Sequence, residues 1–466
     1  MRAPLPLGVI GPAIVVFASG CAVYEPKPLL PEAELALLKS PDLAAIIVEH
    51  GPPGEAAPRG AVPFDPSDGL DETEIVALAL TLNPALKAKR LEIGEAQALL
   101  ISAGIWPNPS VGFSLLPGVA GASGWTADTD LLFELLRPGE RASKQAVAQA
   151  QIDQVSAEVV AEEWKLVADV RRQRMTLAAQ RRQAELLDQE VSLREQVLQL
   201  LQRRRELGEV RELDIALADI DLAEIRRDRR VAAAELEAAL IEMNRRIGLP
   251  GSFALKFPPT ENPLRFTVYP TVTEQDVEQR LLAGRFELRA AHAAYAKSEG
   301  ELRLAIERQF PRISLGPSHS REPEGTNFLG LGVSIELPFF DRNQGEIATM
   351  DIRREQARAR YASLLYQVVT SAYEALARLR RTQQEVEILE RDVIPSLQRT
   401  QDLFERGFRS RDVGLFEWIM TRQRALKVRQ AYLDALLRYQ NSVIDLEAAT
   451  GVPLAQPIES RPEGGS

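Results

Sequence analysis

The chain has 466 residues, of which 45% are hydrophobic and 26% are charged, and its formal net charge is −10. The acidic balance argues against nucleic acid as a partner. The single cysteine excludes a disulfide framework and any CxxC metal or redox motif, and three widely separated histidines leave little for a histidine-based metal site or catalytic triad.

The first 20 residues are similar to a bacterial lipoprotein signal peptide. An apolar run from about Leu5 to Phe17 is interrupted by two prolines and is too short to span a bilayer. The next residues, Ala18-Ser19-Gly20-Cys21, resemble a lipobox, in which the cysteine thiol is lipidated. We therefore expect Cys21 to become the acylated N-terminus of the mature chain. The alternative is an ordinary signal peptide with an accidental cysteine.

Residues 21–70 form the next predicted segment. Prolines are scattered through it from Pro26 to Pro66, and each fixes φ and removes a backbone donor. We predict an extended tether that connects the lipid anchor to the body of the protein, with one short helix at about Ala33–Leu38.

The rest of the chain repeats itself at an offset of about 200 residues, which indicates duplication of a whole domain. Five pairs of landmarks carry the repeat: Leu86 and Leu288, Trp106-Pro107 and Phe310-Pro311, Glu134-Leu135 and Glu336-Leu337, Gly208 and Gly407, and Gly248-Leu249-Pro250 and Gly451-Val452-Pro453. The predicted organisation is a first repeat at 71–250, a linker at 251–272, a second repeat at 273–453 and a tail at 454–466.

Each repeat begins with two helices and two short strands. The helices are predicted at about 71–82 and 85–105, and again at 273–283 and 285–309, with Asp or Thr in the capping positions of the first of each pair. Apolar and polar residues then alternate with a period of two, which indicates strands. These strands are predicted at Pro109–Leu116, Trp125–Leu136, Arg312–Ser318 and Asn327–Leu337.

A very long helix follows each pair of strands. Neither proline nor glycine occurs from Glu140 to Leu207, and apolar residues recur there in steps of three, four and seven, which is a coiled-coil seam about 100 Å long. The second long helix is predicted at about Ile347–Arg406, with a kink at Pro395. After turns at Gly208 and Gly407, return helices are predicted at Arg211–Ile247 and Asp412–Thr450, so the helical regions span about 140–247 and 347–450.

The sequence thus predicts a mainly α fold with a small β part, built from a duplicated unit of long helical hairpins and two β-hairpins. Four strands cannot close a barrel, and open sheet edges are not tolerated in lipid. If the strands enter a membrane, several copies of the chain must pool them. The alternative is a small soluble sheet.

Motifs in both repeats resemble the TolC-type outer-membrane efflux channels over about residues 70–453. They are Asn83-Pro84-Ala85-Leu86, Ala103-Gly104-Ile105-Trp106-Pro107-Asn108-Pro109, Gly248-Leu249-Pro250 and the run from Glu336 to Gly345, ELPFFDRNQG. The last run is most similar to the cobalt–zinc–cadmium resistance branch. The first-repeat counterpart, Leu136–Lys144, departs from the Gly-Gly-Lys-Arg pattern of that branch, which weakens any inference about metal as cargo.

The resemblance implies a homotrimer in the outer membrane of a Gram-negative bacterium. Its helices would form a periplasmic α-barrel continuous with a transmembrane β-barrel. The implied partners are a periplasmic adaptor (membrane fusion) protein, an inner-membrane resistance–nodulation–division pump and outer-membrane lipid. Trp106, Trp125 and Phe133 lie near strand ends, where aromatic belts meet the lipid interface, although core packing is the alternative.

The hairpin turns are the expected gate, because they reach the periplasmic end. Glycine permits the left-handed conformation that ends a helix, and an aspartate is favourable at the next helix N-terminus. Exposed Leu207, Val210, Phe408 and Val413 would dock the adaptor, and ion pairs between copies, worth about 0–1 kcal/mol each, would act as a latch. The predicted tip residues are Arg205, Gly208, Val210, Asp214, Arg406, Gly407, Phe408, Arg409, Arg411 and Asp412.

The predicted function is a passive outer-membrane channel of a tripartite efflux pump, with divalent metal cations as candidate cargo. No catalytic constellation, cofactor motif or metal-ligand spacing is present, so no enzyme activity, cofactor or metal site is expected. Two alternatives stay open: the outer-membrane channel of a type I protein-secretion system, and a non-conducting structural lipoprotein that spans the periplasm.

Overall fold

The computed structural model describes residues 23–39, 69–117, 124–258, 262–269, 272–410 and 412–454. The predicted signal peptide, Cys21, most of the tether and the predicted tail after Leu454 lie outside the described residues. The chain divides into two compact units, residues 1–43 and 44–466. In the first unit, helix α1 (Pro31–Lys39) occupies the position of the short helix predicted in the tether.

The second unit contains the same order of elements twice. The first set is α2 (Glu72–Leu82), α3 (Pro84–Gly104), β1 (Ser110–Pro117), β2 (Trp125–Leu135), α4 (Glu140–Glu206) and α5 (Glu212–Ile247). The second set is α6 (Glu274–Gly284), α7 (Phe286–Glu307), β3 (Arg312–Arg321), β4 (Asn327–Glu336), α8 (Gln344–Ile388), a π-helical segment (Leu389–Val393), α9 (Ile394–Ser410) and α10 (Leu415–Thr450). The predicted mainly α fold with a small β part is confirmed.

Both sets start with a capping box, which is built on the capping residues that the sequence predicts. The Asp71 carboxylate accepts a 2.8 Å hydrogen bond from the backbone N–H of Glu74, whose side chain accepts from the backbone N–H of Asp71 at 2.9 Å. Thr273 and Asp276 make the equivalent pair of bonds at the start of α6. Each box satisfies two backbone donors that the first helical turn leaves unpaired.

Both sets also end in the same way, on a glycine with positive φ. Gly248 (φ 96°) follows α5, and Gly451 (φ 71°) follows α10. A Cβ on Gly248 would lie 2.7 Å from the carbonyl oxygen of Leu82 at the end of α2, and a Cβ on Gly451 would lie 2.6 Å from that of Gly284 at the end of α6. The end of each return helix therefore packs on the end of the first helix of its own repeat, and only glycine fits there.

The second long helix differs from its prediction at two points. The five residues before Ile394 form a π-helical turn, which accommodates Pro395, a residue that cannot donate to a helical carbonyl. The predicted turn at Gly407 is wrong, because α9 continues through it to Ser410. Phe408 is buried against the neighbouring hairpin, and this packing outweighs the cost of about 1 kcal/mol for a glycine inside a helix.

The helices pack through a series of apolar clusters. The largest joins α6, α7, α8 and α10 around Tyr439, whose hydroxyl donates to the carbonyl of Thr267 in the linker. Polar contacts reinforce the contact between repeats: the Arg171 guanidinium of α4 pairs with Glu72 of α2 at 2.6 Å and with Glu447 of α10. The clusters hold the long helices side by side.

We expect acid to weaken the start of α4. Glu140 is 5% exposed, and its carboxylate lies 2.9 Å from the Lys144 ammonium and 3.4 Å from the Arg137 guanidinium. Burial alone would raise its pKa, but the hydrogen bond and charge of Lys144, together with Arg137, leave the pKa of Glu140 below the ordinary 4.5. The pKa of Glu140 is thus lower in the folded chain than in the unfolded chain. The charged carboxylate therefore stabilises the fold above pH 4.5, and this stabilisation is lost as the pH falls through the folded pKa.

Glu140→Gln should therefore lower the free energy of unfolding by about 1–2 kcal/mol at neutral pH. The difference from wild type should shrink steadily as the pH falls through the folded pKa of Glu140, below which both side chains are uncharged. Denaturant unfolding followed by circular dichroism across this range measures it. Glu162→Gln, which removes an exposed pair with Lys165, is the matched control and should change little. A difference between wild type and Glu140→Gln that is constant with pH would contradict the assignment.

Candidate functional site

The two predicted hairpin turns lie side by side and share one apolar cluster. The first hairpin contributes Val197, Leu201, Ile215 and Ala218, and the second contributes Phe408, Leu415, Trp418 and Ile419. The Phe408 and Trp418 rings are 5.5 Å apart between centroids. The structure thus brings together the two turns that the sequence predicts to form one tip.

The first turn has the predicted glycine geometry. Gly208 has φ 75°, and its backbone N–H donates to the carbonyl of Arg205 at 2.8 Å. Nothing would contact a Cβ there, so the positive φ alone favours glycine. The Arg205 guanidinium pairs with Glu212 at 2.5 Å across the turn, and both side chains are more than half exposed. Val210 is half-buried next to the shared cluster.

The start of α5 has the predicted acidic residue. Asp214 accepts from the backbone N–H of Arg211 at 3.3 Å and from its Nε at 3.1 Å. The Arg211 hydrogen bond lowers the pKa of Asp214 below its ordinary value. Any ion pair from another copy would have to compete with Arg211 for this carboxylate.

The second turn is held by contacts within itself. Arg409 pairs with Glu405 at 3.0 Å, and Arg406 donates to the carbonyl of Asp402 at 3.2 Å. Asp412 accepts from the Ser410 hydroxyl at 2.6 Å, and its backbone N–H donates to the carbonyl of Gly407 at 2.8 Å. Because α10 begins only at Leu415, Asp412 lies in the turn rather than at the predicted helix N-terminus. Arg411 lies outside the described residues.

The exposed apolar residues of the tip differ from the predicted set. Phe408 is only 6% exposed, so its expected role as an exposed docking residue is wrong, while Leu207 is 74% exposed as predicted. Leu213 and Phe416, which the sequence reading missed, are 58% and 64% exposed. Each is the second residue of its return helix, and an apolar residue at this same place in both repeats is the signal that would have found them.

The four strands form one antiparallel sheet in the order β1-β2-β3-β4, so the central β2–β3 pair joins the two repeats. The register pairs odd-numbered with odd-numbered residues throughout, as in Phe113–Thr129, Phe133–Leu315 and Leu315–Val333. One face, the odd face, is therefore mainly apolar and carries Val111, Phe113, Leu115, Leu131, Phe133, Leu135, Ile313, Leu315, Leu329, Leu331, Val333 and Ile335.

The other face, the even face, is polar and acidic. Asp128 accepts from the Ser114 hydroxyl at 3.3 Å, and the Asp130 carboxylate lies over Gly112, where a Cβ would be 2.5 Å from it. Nearer the helices, the Nε of Arg312 lies 3.4 Å from Glu134 and 3.8 Å from Glu336. This face thus carries four carboxylates and one guanidinium.

Comparison with known proteins shows what this chain is similar to. A family model described as outer membrane efflux protein matches residues 277–452. The cobalt-zinc-cadmium resistance protein CzcC of Cupriavidus metallidurans is 21% identical over 365 residues, which are 78% of this chain and 85% of that protein. The second repeat of this chain is therefore similar to the outer membrane efflux protein family. The resemblance to outer-membrane efflux channels that the motifs predict is confirmed.

Solved structures show that the similarity in fold extends over both repeats. A membrane protein from Pseudomonas aeruginosa superposes with a TM-score of 0.69 at 20% identity, covering 86% of this chain and 100% of that one. The Campylobacter jejuni CmeC outer membrane channel superposes with a TM-score of 0.69 at 15% identity, covering 82% of this chain and 86% of that one.

The predicted aromatic residues lie at or near the ends of the strands. Trp125 is the first residue of β2, Phe133 is near its end and Trp106 precedes β1, with exposed fractions of 63%, 48% and 57%. None of the helices within the described ranges is long and apolar enough to cross a membrane. The same ranges contain no group of three or more His, Cys, Asp or Glu side chains placed to hold a metal ion.

A buried charge network, which the sequence analysis missed, joins α4, α5 and α10. Arg194 of α4 donates to Glu190 at 2.6 Å and to Asp221 of α5 at 2.7 Å. Arg194 and Glu190 are each 3% exposed and Asp221 is 6% exposed. Gln423 of α10 donates to Asp221 at 3.2 Å, and Arg429 lies 3.9 Å from Glu190. The second repeat therefore completes a network that begins in the first.

Proposed function

We propose that this chain is the outer-membrane channel of a tripartite efflux pump and that it works as a homotrimer. The observation that carries the proposal is the sheet with one apolar and one polar face. Exposing an apolar face of this size to water costs much free energy, whereas contact with lipid acyl chains does not. Three copies, each contributing its four strands, would place the odd face toward lipid and the even face toward an aqueous lumen.

The long helices support the reach of this channel into the periplasm. Helix α4 has 67 residues, which corresponds to about 100 Å. The hairpin tip would meet a periplasmic adaptor protein through exposed Leu207, Leu213 and Phe416, and the adaptor would connect it to an inner-membrane resistance–nodulation–division pump. The tip ion pairs, Arg205–Glu212 and Arg409–Glu405, are exposed and weak enough to exchange partners when the tip opens.

We propose divalent metal cations as the cargo. The name of CzcC, the cobalt-zinc-cadmium resistance protein, supports this choice. The even face supports it independently, because Asp128, Asp130, Glu134 and Glu336 outnumber Arg312 and would attract cations to the lumen. We further propose that Cys21 is acylated and anchors the trimer to the outer membrane.

The channel proposal is tested by purifying the protein and measuring its oligomeric state and its conductance in planar bilayers. We expect a trimer that conducts and that favours cations. A monomer without conductance would overturn the proposal in favour of a structural lipoprotein. Mass spectrometry of the mature N-terminus, with Cys21→Ser as the control, tests acylation.

The cargo is tested in a strain from which the protein has been deleted. Growth is measured in zinc, cobalt and cadmium, and in a panel of dyes and antibiotics. We expect the deletion to reduce growth in the metals, and the wild-type chain to restore it. Sensitivity to dyes and antibiotics alone would overturn the metal assignment. Loss of a secreted protein with unchanged resistance would instead support a type I secretion channel.

A further inference from the structure

The four junctions between strands and helices lie together at one end of the sheet. The pairs Leu135–Ile313 and Arg312–Glu336 show that β2, β3 and β4 reach this end in register. The junctions also contact one another: the Arg137 guanidinium donates to the carbonyl of Phe310 at 2.8 Å. The Asn343 side chain, after β4, donates to a carbonyl near the end of α7 at 2.8 Å. The junctions therefore form a continuous band across this end of the sheet.

Exposed aromatic side chains occupy this band. Trp106 precedes β1 and is 57% exposed, and Phe310 precedes β3 and is 54% exposed. Phe339 and Phe340 follow β4 and are 71% and 97% exposed. Aromatic side chains next to polar groups are typical of the membrane–water interface.

Two guanidinium groups in the band have no ion pair among the described residues. Arg141 lies over the Trp106 ring, 5.8 Å from its centroid, and Arg342 follows Phe340 by two positions. The other charges are engaged locally: Arg137 and Lys144 with Glu140, and Arg308 with Glu346. Asp341 accepts from the backbone N–H of Asn343, and Glu307 accepts from the Ser143 hydroxyl.

We propose that Arg141 and Arg342 each bind the phosphate of an anionic phospholipid whose acyl chains lie along the odd face. This inference rests on the proposed function, because it requires the odd face to be in lipid. Guanidinium groups bind phosphate through charge-assisted hydrogen bonds, and arginine residues near a membrane surface favour anionic lipid. The Trp106 ring holds the Arg141 guanidinium at the boundary, and the exposed Phe340 ring accompanies Arg342.

The test uses the purified full-length trimer in detergent, offered equal amounts of phosphatidylglycerol and phosphatidylcholine with identical acyl chains. Native mass spectrometry gives the ratio of the two bound lipids. We expect wild type to prefer phosphatidylglycerol, and Arg141→Gln/Arg342→Gln to reduce the preference about fivefold, which corresponds to roughly 1 kcal/mol at each arginine. Arg141→Lys/Arg342→Lys should keep most of it.

The matched control is Arg203→Gln/Arg230→Gln, which removes two exposed arginines from α4 and α5 that also lack an ion pair in the described part of the chain. It should retain the wild-type ratio. If the wild-type trimer conducts, the proposed function stands and the lipid proposal is judged by the ratio of bound lipids. An equal ratio in wild type, or an unchanged ratio in Arg141→Gln/Arg342→Gln, would then overturn the lipid proposal alone. A wild-type trimer that does not conduct would overturn the proposed function and this inference with it.

Discussion

Arg194→Met should lower the free energy of unfolding by about 3–5 kcal/mol, the expected cost of removing one partner from a buried ion network. The variant keeps the length of the side chain but leaves the Glu190 and Asp221 carboxylates buried without the cation that lies 2.6 and 2.7 Å from them. Gln423 can donate to Asp221 but supplies no charge, and Arg429 is too far from Glu190 for a hydrogen bond. The expected loss is large because neither carboxylate can reach water.

Urea unfolding of the purified protein, followed by circular dichroism, measures this effect. The matched control is Arg229→Met, which removes a pair with Asp188 in which both side chains are more than half exposed, and it should cost less than about 1 kcal/mol. The triple variant Glu190→Met/Arg194→Met/Asp221→Val should recover most of the loss, since it removes every buried charge of the triad. A loss for Arg194→Met no larger than that of the control would refute the buried network.

The network shows why one part of the helical fold could not be predicted from sequence. Glu190 and Arg194 are separated by four positions, which is also the spacing of an ordinary exposed ion pair on a helix. Their burial depends on Asp221 and Gln423, which lie on two other helices, and no local pattern reports that packing. By contrast, the apolar steps within α4 are local, and they predicted an unbroken helix almost to its last residue.

The two tip glycines show the same difference between what local sequence predicts and what tertiary packing decides. Gly208 and Gly407 occupy equivalent places in the repeat, and both predict a turn by local propensity. Gly208 does adopt positive φ, but Gly407 lies inside α9 because Phe408 packs on Trp418 of the return helix. The tertiary contact decides the second case, and the same contact removes Phe408 from the surface that was predicted to dock a partner.

The sheet was predictable in part. Period-two alternation located all four strands. The pairing of β2 with β3, and the location of the apolar residues of all four strands on one face, could not be predicted because they depend on the register. Only that register places Asp128, Asp130 and Glu134 together on one face. Two neighbouring residues of β4, one on each face, therefore distinguish which face is in contact with lipid.

Val333→Arg should prevent stable insertion into the outer membrane, whereas Ser334→Arg should be tolerated. Both residues are exposed and adjacent, but Val333 pairs with Leu315 on the odd face and Ser334 pairs with Ser314 on the even face. An arginine on the lipid face of a membrane strand costs about 2–4 kcal/mol near the bilayer midplane, and a homotrimer would incur that cost three times. An arginine at 334 would instead lie two positions from Glu336 on the acidic face.

Membrane fractionation and planar-bilayer conductance distinguish the two variants. We expect Val333→Arg to be depleted at least tenfold from the outer-membrane fraction, which is what about 1.4 kcal/mol produces at equilibrium. We expect Ser334→Arg to insert at the wild-type level and to conduct with a weaker preference for cations, because each copy has gained a positive charge beside the lumen. If the two substitutions have equal effects on insertion, the odd face does not face lipid. If Ser334→Arg is the one excluded from the membrane, the assignment of the two faces is reversed.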